Sequence, residues 1–538
     1  MVYIHAGEFQ YGSSDDLESN KPLQLPTDVV LVDFNYRIGA FGYLGGDALR
    51  GLSPSGSTGN YGMQDQRFAL QWVQKNIAQF GGDPDNVMLF GESSGGTCVA
   101  WHLTSERSKG LFHKAVLESP GLGQTHTMDE SRTNFAFMLG EMANNANLTN
   151  CNFDTGAWQE FGFNIMEEEY SHKYLHRVNV TSVQEAEELC ARNASCMGFD
   201  YPTNRQPGHV FEARFSKVYS LPWHGRDSRY TTQLKGMNMA QENFPNIRKC
   251  LLTAPASVIA QFAEYVPLSD TILEDQWAPV VDGVETLLSV ERSIQQQNFH
   301  TPGVPVMLGS NLDEGSTFMF DTPALPTNAS AAEFKKWSTE FAGDRGGALL
   351  PRLYAPRTLE YPHPVINPKV KDDNNYYLSA VRAAGDRSIS CPTLGLAYEL
   401  TQAGHPVYTY SFRITPNRSV NAAPSSMRAL GAFHGAEVPF VFGDPSELVK
   451  PAEREVASTM GCYWTNFAWN SNPNDATGRA SLYSQKLCAR LPSWKDTTQS
   501  RSQSMVFNIT NEHAHVDMEP TDRLTHLRCN FWRNVDNV

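Results

Sequence analysis

Residues 86–101 constrain the fold of this chain more than any other part of its sequence. The apolar run 87–90 predicts a buried strand, and the small residues after Gly95 predict a helix. Between them, residues 91–95 read GESSG, which has the pattern G-x-S-x-G. A strand-to-helix turn this tight leaves room only for glycine on either side of the serine. We therefore expect Ser93 to project from the sheet as a nucleophile, with N–H groups at the helix start directed toward its target.

Predicted strands and helices alternate around this turn. Short apolar strands are predicted just before His5 and over residues 28–36, and residues 64–80 have apolar side chains at helical spacing up to the stop at Gly81. The strands are apolar throughout, which is typical of strands buried on both faces. The sequence therefore predicts an α/β fold with a mostly parallel central sheet flanked by helices.

Composition excludes several classes of function. The 538 residues are 41% hydrophobic, which is ample for a large core, and carry a net charge of -15 without any basic run. An acidic chain of this kind is not expected to bind nucleic acid or an anionic membrane surface. No segment approaches the roughly 18 consecutive apolar residues of a membrane-spanning helix.

Cysteines and glycosylation sequons indicate the compartment. The nine cysteines include no zinc-type CxxC pair, and six N-x-S/T sequons are present, although sequons also arise by chance. Together they predict a secreted or extracellular glycoprotein, although no signal peptide follows Met1. We expect that the true N-terminus has been lost. The sequons lie at Asn147, Asn179, Asn193, Asn328, Asn417 and Asn508.

Several ordered motifs carry a family resemblance. NYRIGAFGYLG, LFGESSGG, GSNLDEGSTF and AFHGAEVPFVFG follow one another along the chain. The sequence resembles the type-B carboxylesterase family, the cholinesterase and lipase branch of the α/β-hydrolase fold. The resemblance implies that residues 1–150 and 251–538 form an α/β-hydrolase domain, interrupted by an insertion at 152–249.

The resemblance also implies a serine esterase. A serine hydroxyl needs a histidine to take its proton and a carboxylate to orient that histidine, and the chain order in this fold is serine, acid, histidine. Ser93 matches the nucleophile, Glu314 in SNLDEG matches the acid, and His434 in GAFHG matches the base. Such an enzyme forms an acyl-serine intermediate and needs neither a metal nor a cofactor.

An oxyanion hole is implied as well, formed by the backbone N–H groups of Gly7, Glu8 and Ser94. The loop reads HAGEF where the family has HGGGF or HGGAF. An alanine that had to adopt positive φ would be strained, and a carboxylate beside the hole would oppose the charge that the hole stabilises. We still expect the hole to form, because its donors are backbone groups.

The insertion 152–249 has a different character. A predicted strand, an amphipathic helix over 183–192 and a cysteine pattern ending in CMGFDY resemble a PAN/apple-like module, which implies a protein or carbohydrate ligand. A surface insertion without a ligand is the alternative. Resemblance implies three disulfides, which are Cys151–Cys250, Cys391–Cys488 and Cys190–Cys196.

Two functions of different class remain open. The first is hydrolysis of small-molecule or lipid esters, and the second is non-catalytic adhesion or binding through the surface and the insertion. The complete set Ser93, Glu314 and His434 favours the hydrolase. The stretch 270–280 is acidic with Trp277 as its only aromatic residue, so it does not resemble the paired aromatics of choline-selective members. A general, lipase-like carboxylesterase is therefore the preferred prediction.

Overall fold

A computed structural model gives the fold of the chain. It describes residues 1–17, 29–143, 148–151, 158–161, 174–192, 198–202, 211–216, 230–235, 244–263, 276–319, 325–356, 376–417, 430–477, 485–486, 488–499 and 503–536. The chain divides into two compact units. The first comprises Met1–Tyr36, Gln64–Gln124 and Leu288–Val538, and the second comprises Arg37–Met63 and Thr125–Leu287.

The first unit contains an eight-stranded sheet. The strands of the described chain are β1 (Val2–Ile4), β2 (Val32–Asp33), β3 (Met88–Glu92), β4 (Lys114–Glu118), β5 (His126–Thr127), β6 (Trp158–Phe161), β7 (Tyr174–Val180), β8 (Gly198–Pro202), β9 (Phe211–Ser216), β10 (Tyr230–Lys235), β11 (Val280–Val281), β12 (Val306–Asn311), β13 (Val407–Phe412), β14 (Gln503–Thr510) and β15 (His513–Pro520). The large sheet has the order β15-β14-β13-β12-β4-β3-β1-β2. Every neighbouring pair is parallel except β14 with β15, which confirms the predicted, mostly parallel sheet.

Helices flank the strands, as predicted. They are α1 (Gly39–Tyr43), α2 (Asp47–Arg50), α3 (Tyr61–Asn76), α4 (Ser94–Thr104), α5 (Met128–Ala143), α6 (Val183–Arg192), α7 (Phe244–Thr253), α8 (Ala256–Ala263), α9 (Val290–Gln295), α10 (Gly315–Met319), α11 (Ala331–Leu353), α12 (Tyr376–Gly385), α13 (Cys391–Gln402), α14 (Val438–Phe442), α15 (Pro451–Asn470) and α16 (Arg523–Asp536). A π-helical turn, Asp386–Ser390, joins α12 to α13.

Local sequence explains several element boundaries. The helix predicted for 64–80 is α3 followed by the 3-10 turn Ile77–Phe80, and it stops where Gly81 adopts a left-handed φ of 82°. The strand predicted for 28–36 is shorter in the structure. In the described part of this segment, only the two residues of β2 pair with β1. Apolar composition alone does not reveal how many residues find a neighbouring strand.

An aromatic core lies in the first unit. Phe90, Tyr410 and Phe507 belong to strands of the large sheet and share a hydrophobic cluster with Trp464 of α15 and with Trp494. Trp464 and Trp494 are almost completely buried. Burying a large side chain stabilises a fold by about 1.5 to 3 kcal/mol, so this cluster holds α15 firmly against the sheet.

The second unit includes a separate five-stranded sheet with the order β6-β10-β8-β9-β7. Its paired strands are antiparallel, and α6 has the bounds expected for the amphipathic helix of the insertion. The two-stranded parallel sheet of β5 and β11 also belongs to this unit. The domain limits and the PAN/apple-like assignment stay predictions.

Disulfide pairing differs in part from the expectation. Cys151 pairs with Cys250 as expected. The predicted Cys391–Cys488 bridge is wrong, because Cys391 pairs with Cys529 of α16, and Cys488 pairs with Cys462 of α15. Bridging needs Cα atoms about 4.4 to 6.8 Å apart, and here the Cα–Cα distances are 5.0 and 5.2 Å. Cys98 is buried, and Nε2 of Gln66 donates a hydrogen bond to its Sγ at 3.1 Å. Cys196 lies outside the described residues, so Cys190–Cys196 stays a prediction.

The predicted glycosylation sites differ in exposure. Asn328 is exposed just before α11, and Asn417 and Asn508 are partly buried. Asn179 lies in β7, whereas Asn147 and Asn193 lie outside the described residues. Their modification stays a prediction.

The bridge from α13 to α16 provides a stability test. Replacing both Cys391 and Cys529 with serine removes a cross-link between positions 138 residues apart. We expect a loss of about 2 to 4 kcal/mol in the free energy of unfolding, because the unfolded chain gains freedom. Urea unfolding of the variant and the parent protein measures this loss. A Cys391–Cys488 peptide in a non-reducing digest would contradict the pairing.

Candidate active site

The turn between β3 and α4 carries Ser93. A Cβ on Gly95 would lie 2.2 Å from the carbonyl oxygen of Ile4, and a Cβ on Gly91 would lie 2.6 Å from the carbonyl carbon of Gly95. Both positions therefore require glycine, as the sequence pattern predicts. Ser93 has φ 54° and ψ -124°, a strained conformation that this packing maintains. Its side chain retains partial exposure at the end of β3.

Ser93, His434 and Glu314 form one hydrogen-bonded chain. Nε2 of His434 lies 2.7 Å from Oγ of Ser93, and Nδ1 lies 2.6 Å from Oε2 of Glu314. When Nδ1 carries the proton, it donates a hydrogen bond to Glu314, and Nε2 accepts a hydrogen bond from the Ser93 hydroxyl. The three positions are separated by 341 and 120 residues in the chain. The parallel sheet brings them together, because β3 and β12 end at the same edge.

Two residues, the last one of β12 and one just after it, hold the turn of His434 in place. Asp313 accepts the N–H of Ala432 at 2.9 Å and forms a buried ion pair with Arg382 at 2.5 Å. Asn311 donates its amide to the carbonyl oxygen of Phe433 at 2.8 Å. The acid and the histidine are therefore positioned by one shared network.

Four carboxyl groups, which we call the carboxyl cluster, lie buried around these residues. They are Glu92, Glu118, Glu314 and Glu437. The hydroxyl of Ser119 donates to Oε1 of Glu314 at 2.6 Å and lies 3.3 Å from Oε1 of Glu437. Trp464 donates its indole N–H to Oε1 of Glu118 at 2.6 Å, and Oε1 of Glu92 lies 3.4 Å from Nε2 of His434.

Burial shifts the protonation of this cluster. It raises the pKa of Glu92 to about 8, with repulsion from Glu437 and Glu314 adding to the shift and His434 opposing it. Burial likewise raises the pKa of Glu437 to about 7, and holds that of Glu118 well above its usual range. For His434, burial lowers the pKa, but Glu92 and Glu314 outweigh burial and raise it to about 10. Burial therefore favours the neutral form of Glu118, whereas Glu92 and His434 compete for one proton, because the charge of each stabilises the charge of the other.

The predicted oxyanion loop follows β1 at the same edge. Gly7 has φ 119°, as a glycine can, but Glu8 and Phe9 have φ 54° and 60°. Ala6 is not among the described residues with positive φ, so the strain expected at Ala6 falls on Glu8 and Phe9 instead. Ser94, the third predicted donor, begins α4 and is completely buried.

Sequence reasoning missed several members of this site. Glu92 and Glu437 lie inside quoted motifs, and Glu118 ends an apolar strand, where an acidic residue is unusual enough to be a signal. Nothing local identifies Trp464, which is 346 residues away from Glu118. The acidic stretch 270–280 is described only from residue 276 onward.

Fold and site together define the class of protein. A mostly parallel sheet, a serine on a tight strand-to-helix turn, and an acid and a histidine that follow later strands are features of the α/β-hydrolase fold. The sequence model of the carboxylesterase family matches residues 1–188 and 224–532, and the chain belongs to this family. A relative, the acetylcholinesterase of Bungarus fasciatus, is 26% identical over 559 aligned residues, which cover 99% of this chain and 73% of the relative.

The described ranges contain neither a membrane-spanning helix nor a cluster of metal ligands. No helix there combines the length and apolar character needed to cross a membrane. No group of three or more His, Cys, Asp or Glu side chains in the same ranges is arranged to hold a metal ion.

The contact between Glu92 and His434 predicts a pH effect. Glu92→Gln removes a carboxyl group whose charged form raises the pKa of His434. The imidazole then loses its proton at lower pH, so we expect the acidic limb of kcat/KM for p-nitrophenyl acetate to move down by about one pH unit. The same profile for Glu106→Gln, at an exposed position, is the control. An acidic limb that stays in place would contradict the electrostatic role of Glu92.

Proposed function

We propose that this chain hydrolyses carboxylic esters through an acyl intermediate on Ser93. Membership in the carboxylesterase family supports ester hydrolysis as the class of activity. The observation that carries the residue assignment is the continuous hydrogen-bonded chain from Ser93 Oγ through His434 to Glu314, with distances of 2.7 and 2.6 Å. A serine, a histidine and a carboxylate in this order are the groups that activate a serine hydroxyl as a nucleophile.

In the proposed reaction, His434 accepts the Ser93 proton at Nε2 while Oγ attacks the ester carbonyl carbon. Glu314 stabilises the imidazolium through its hydrogen bond to Nδ1. The tetrahedral intermediate expels the alcohol, which takes its proton from His434, and leaves Ser93 acylated. Water, activated by the same histidine, then releases the carboxylic acid and restores the hydroxyl of Ser93.

The negative charge on the carbonyl oxygen requires nearby donors. We assign this role to the backbone N–H groups of Gly7, Glu8 and Ser94. Two features support the assignment. Ser94 lies at the N-terminus of α4, where free N–H groups and the helix dipole favour negative charge, and the loop after β1 leaves the sheet beside the same turn.

Small-molecule or lipid esters are the proposed substrates, and an extracellular site of action fits the disulfides and the acetylcholinesterase relative. The alternative is a non-catalytic binding protein that acts through its surface and the insertion 152–249. The two proposals differ in whether Ser93 is activated, which a covalent probe reports directly.

A fluorophosphonate probe tests the proposal. We expect the purified protein to be labelled at Ser93 and to hydrolyse p-nitrophenyl acetate, and we expect Ser93→Ala to lose labelling and at least about a thousandfold in kcat. Ser94→Ala is the matched control, because it alters a neighbouring hydroxyl and keeps the backbone donor. A folded protein that is neither labelled nor active would overturn the hydrolase proposal and favour a binding role.

A further inference from the structure

Glu8 occupies an unusual backbone position beside the proposed site. In the parallel pair of β1 and β3, Ile4 lies opposite Gly91, so the loop after β1 emerges next to the turn of Ser93. Within this loop Glu8 and Phe9 both have left-handed φ values, of 54° and 60°. A side chain other than that of glycine rarely adopts such a conformation unless the surrounding structure imposes it.

The surrounding structure does impose it. Phe9 is completely buried, so its side chain anchors the loop on one side of Glu8. On the other side, the carbonyl oxygen of Gly7 accepts the N–H groups of Gln10 and Tyr11, both at 2.8 Å. The hydroxyl of Tyr36 also donates to the carbonyl oxygen of His5 at 3.0 Å. The backbone at Glu8 is therefore held in this conformation by its neighbours in the loop.

The carboxyl group of Glu8 lies within electrostatic reach of His434. Burial raises the pKa of Glu8, and attraction to the His434 imidazole opposes that shift. In the described part of the chain, no hydrogen-bond donor reaches this carboxyl group, in contrast to Glu314 and Glu437, which accept hydrogen bonds. The other titratable groups of the site are the carboxyl cluster, in which Glu92 ends β3 and Glu314 follows β12, and His5 and Tyr36 near the loop.

We propose that Glu8 determines the charge of the esters that this site accepts, an inference that rests on the proposed hydrolase function. Its carboxylate opposes negative charge at the ester carbonyl oxygen in the transition state, and opposes it further when the acyl chain carries a carboxylate of its own. Esters with anionic acyl groups are therefore rejected. Neutral esters react more slowly than they would at the same site without the Glu8 carboxylate.

Two matched esters and three variants test this inference. The esters are p-nitrophenyl pentanoate, which is neutral, and mono-p-nitrophenyl glutarate, which has an acyl chain of the same length ending in a carboxylate. Glu8→Gln removes the charge and keeps the strained backbone, and Glu8→Gly removes both the charge and the strain. Glu106→Gln removes one exposed charge and is the control.

We expect Glu8→Gln to raise kcat/KM in alkaline buffer, after correction for uncatalysed hydrolysis. The gain is about tenfold for the pentanoate and about a hundredfold for the glutarate, as expected for unscreened charges a few ångströms apart. Glu8→Gly changes the ratio of kcat/KM for the glutarate to kcat/KM for the pentanoate by at least the same factor. Glu106→Gln raises kcat/KM for neither ester. A merely structural role for Glu8 would produce a loss of activity shared by both esters.

Other outcomes overturn the inference. Equal kcat/KM values for the parent protein and Glu8→Gln, or a change of the same factor for both esters, would show that Glu8 does not select by charge. Fluorophosphonate labelling separates this failure from that of the underlying function. If Ser93 is labelled in both proteins, only the role of Glu8 fails, whereas absence of labelling in both overturns the hydrolase proposal and this inference together.

Discussion

The site depends on a backbone contact at which no side chain fits. The carbonyl oxygen of Ile4 lies 2.2 Å from the place that a Cβ on Gly95 would occupy. This approach fixes the end of β1 against the first turn of α4, and so fixes the loop of Gly7 and Glu8 beside Ser93. A larger residue at Gly95 would separate two segments that must meet, so its effect would reach the whole site.

The parallel order of the sheet explains why residues distant in sequence meet here. Strands β1, β3, β4 and β12 all end at the edge where Ser93 lies, and each is followed by a residue of the site. The same arrangement brings four carboxyl groups together in the carboxyl cluster, which would be costly if all were ionised. Protonation of Glu118, which burial favours, and the hydrogen bond that Trp464 donates to it reduce that cost.

Local patterns in the sequence predicted the fold class and the turn of Ser93, because a glycine requirement and an apolar strand are short-range properties. Glu314 and His434 were predicted only through the family resemblance, since an acidic turn or a lone histidine has no local signature of catalysis. The Cys391 pairing was wrong for a related reason. It depends on where α16 packs, and the hydrophobic pattern of a helix does not say which helix it will meet. The contact of Trp464 with Glu118 could not be predicted either, because it depends on where α15 packs against the sheet.

Backbone strain is concentrated at the edge of the sheet where the site lies. Of the eight described non-glycine residues with positive φ, four, namely Glu8, Phe9, Ser93 and Ser119, lie in segments that follow β1, β3 and β4 at one edge of the sheet. Such conformations cost about 1 to 3 kcal/mol each and persist only where packing over-determines them. The aromatic core contributes packing next to Ser119, since Trp464 both belongs to that core and donates to Glu118. Core packing and site geometry are therefore linked through Trp464, because one face of the same side chain fills the core while its N–H satisfies a buried carboxyl group of the site.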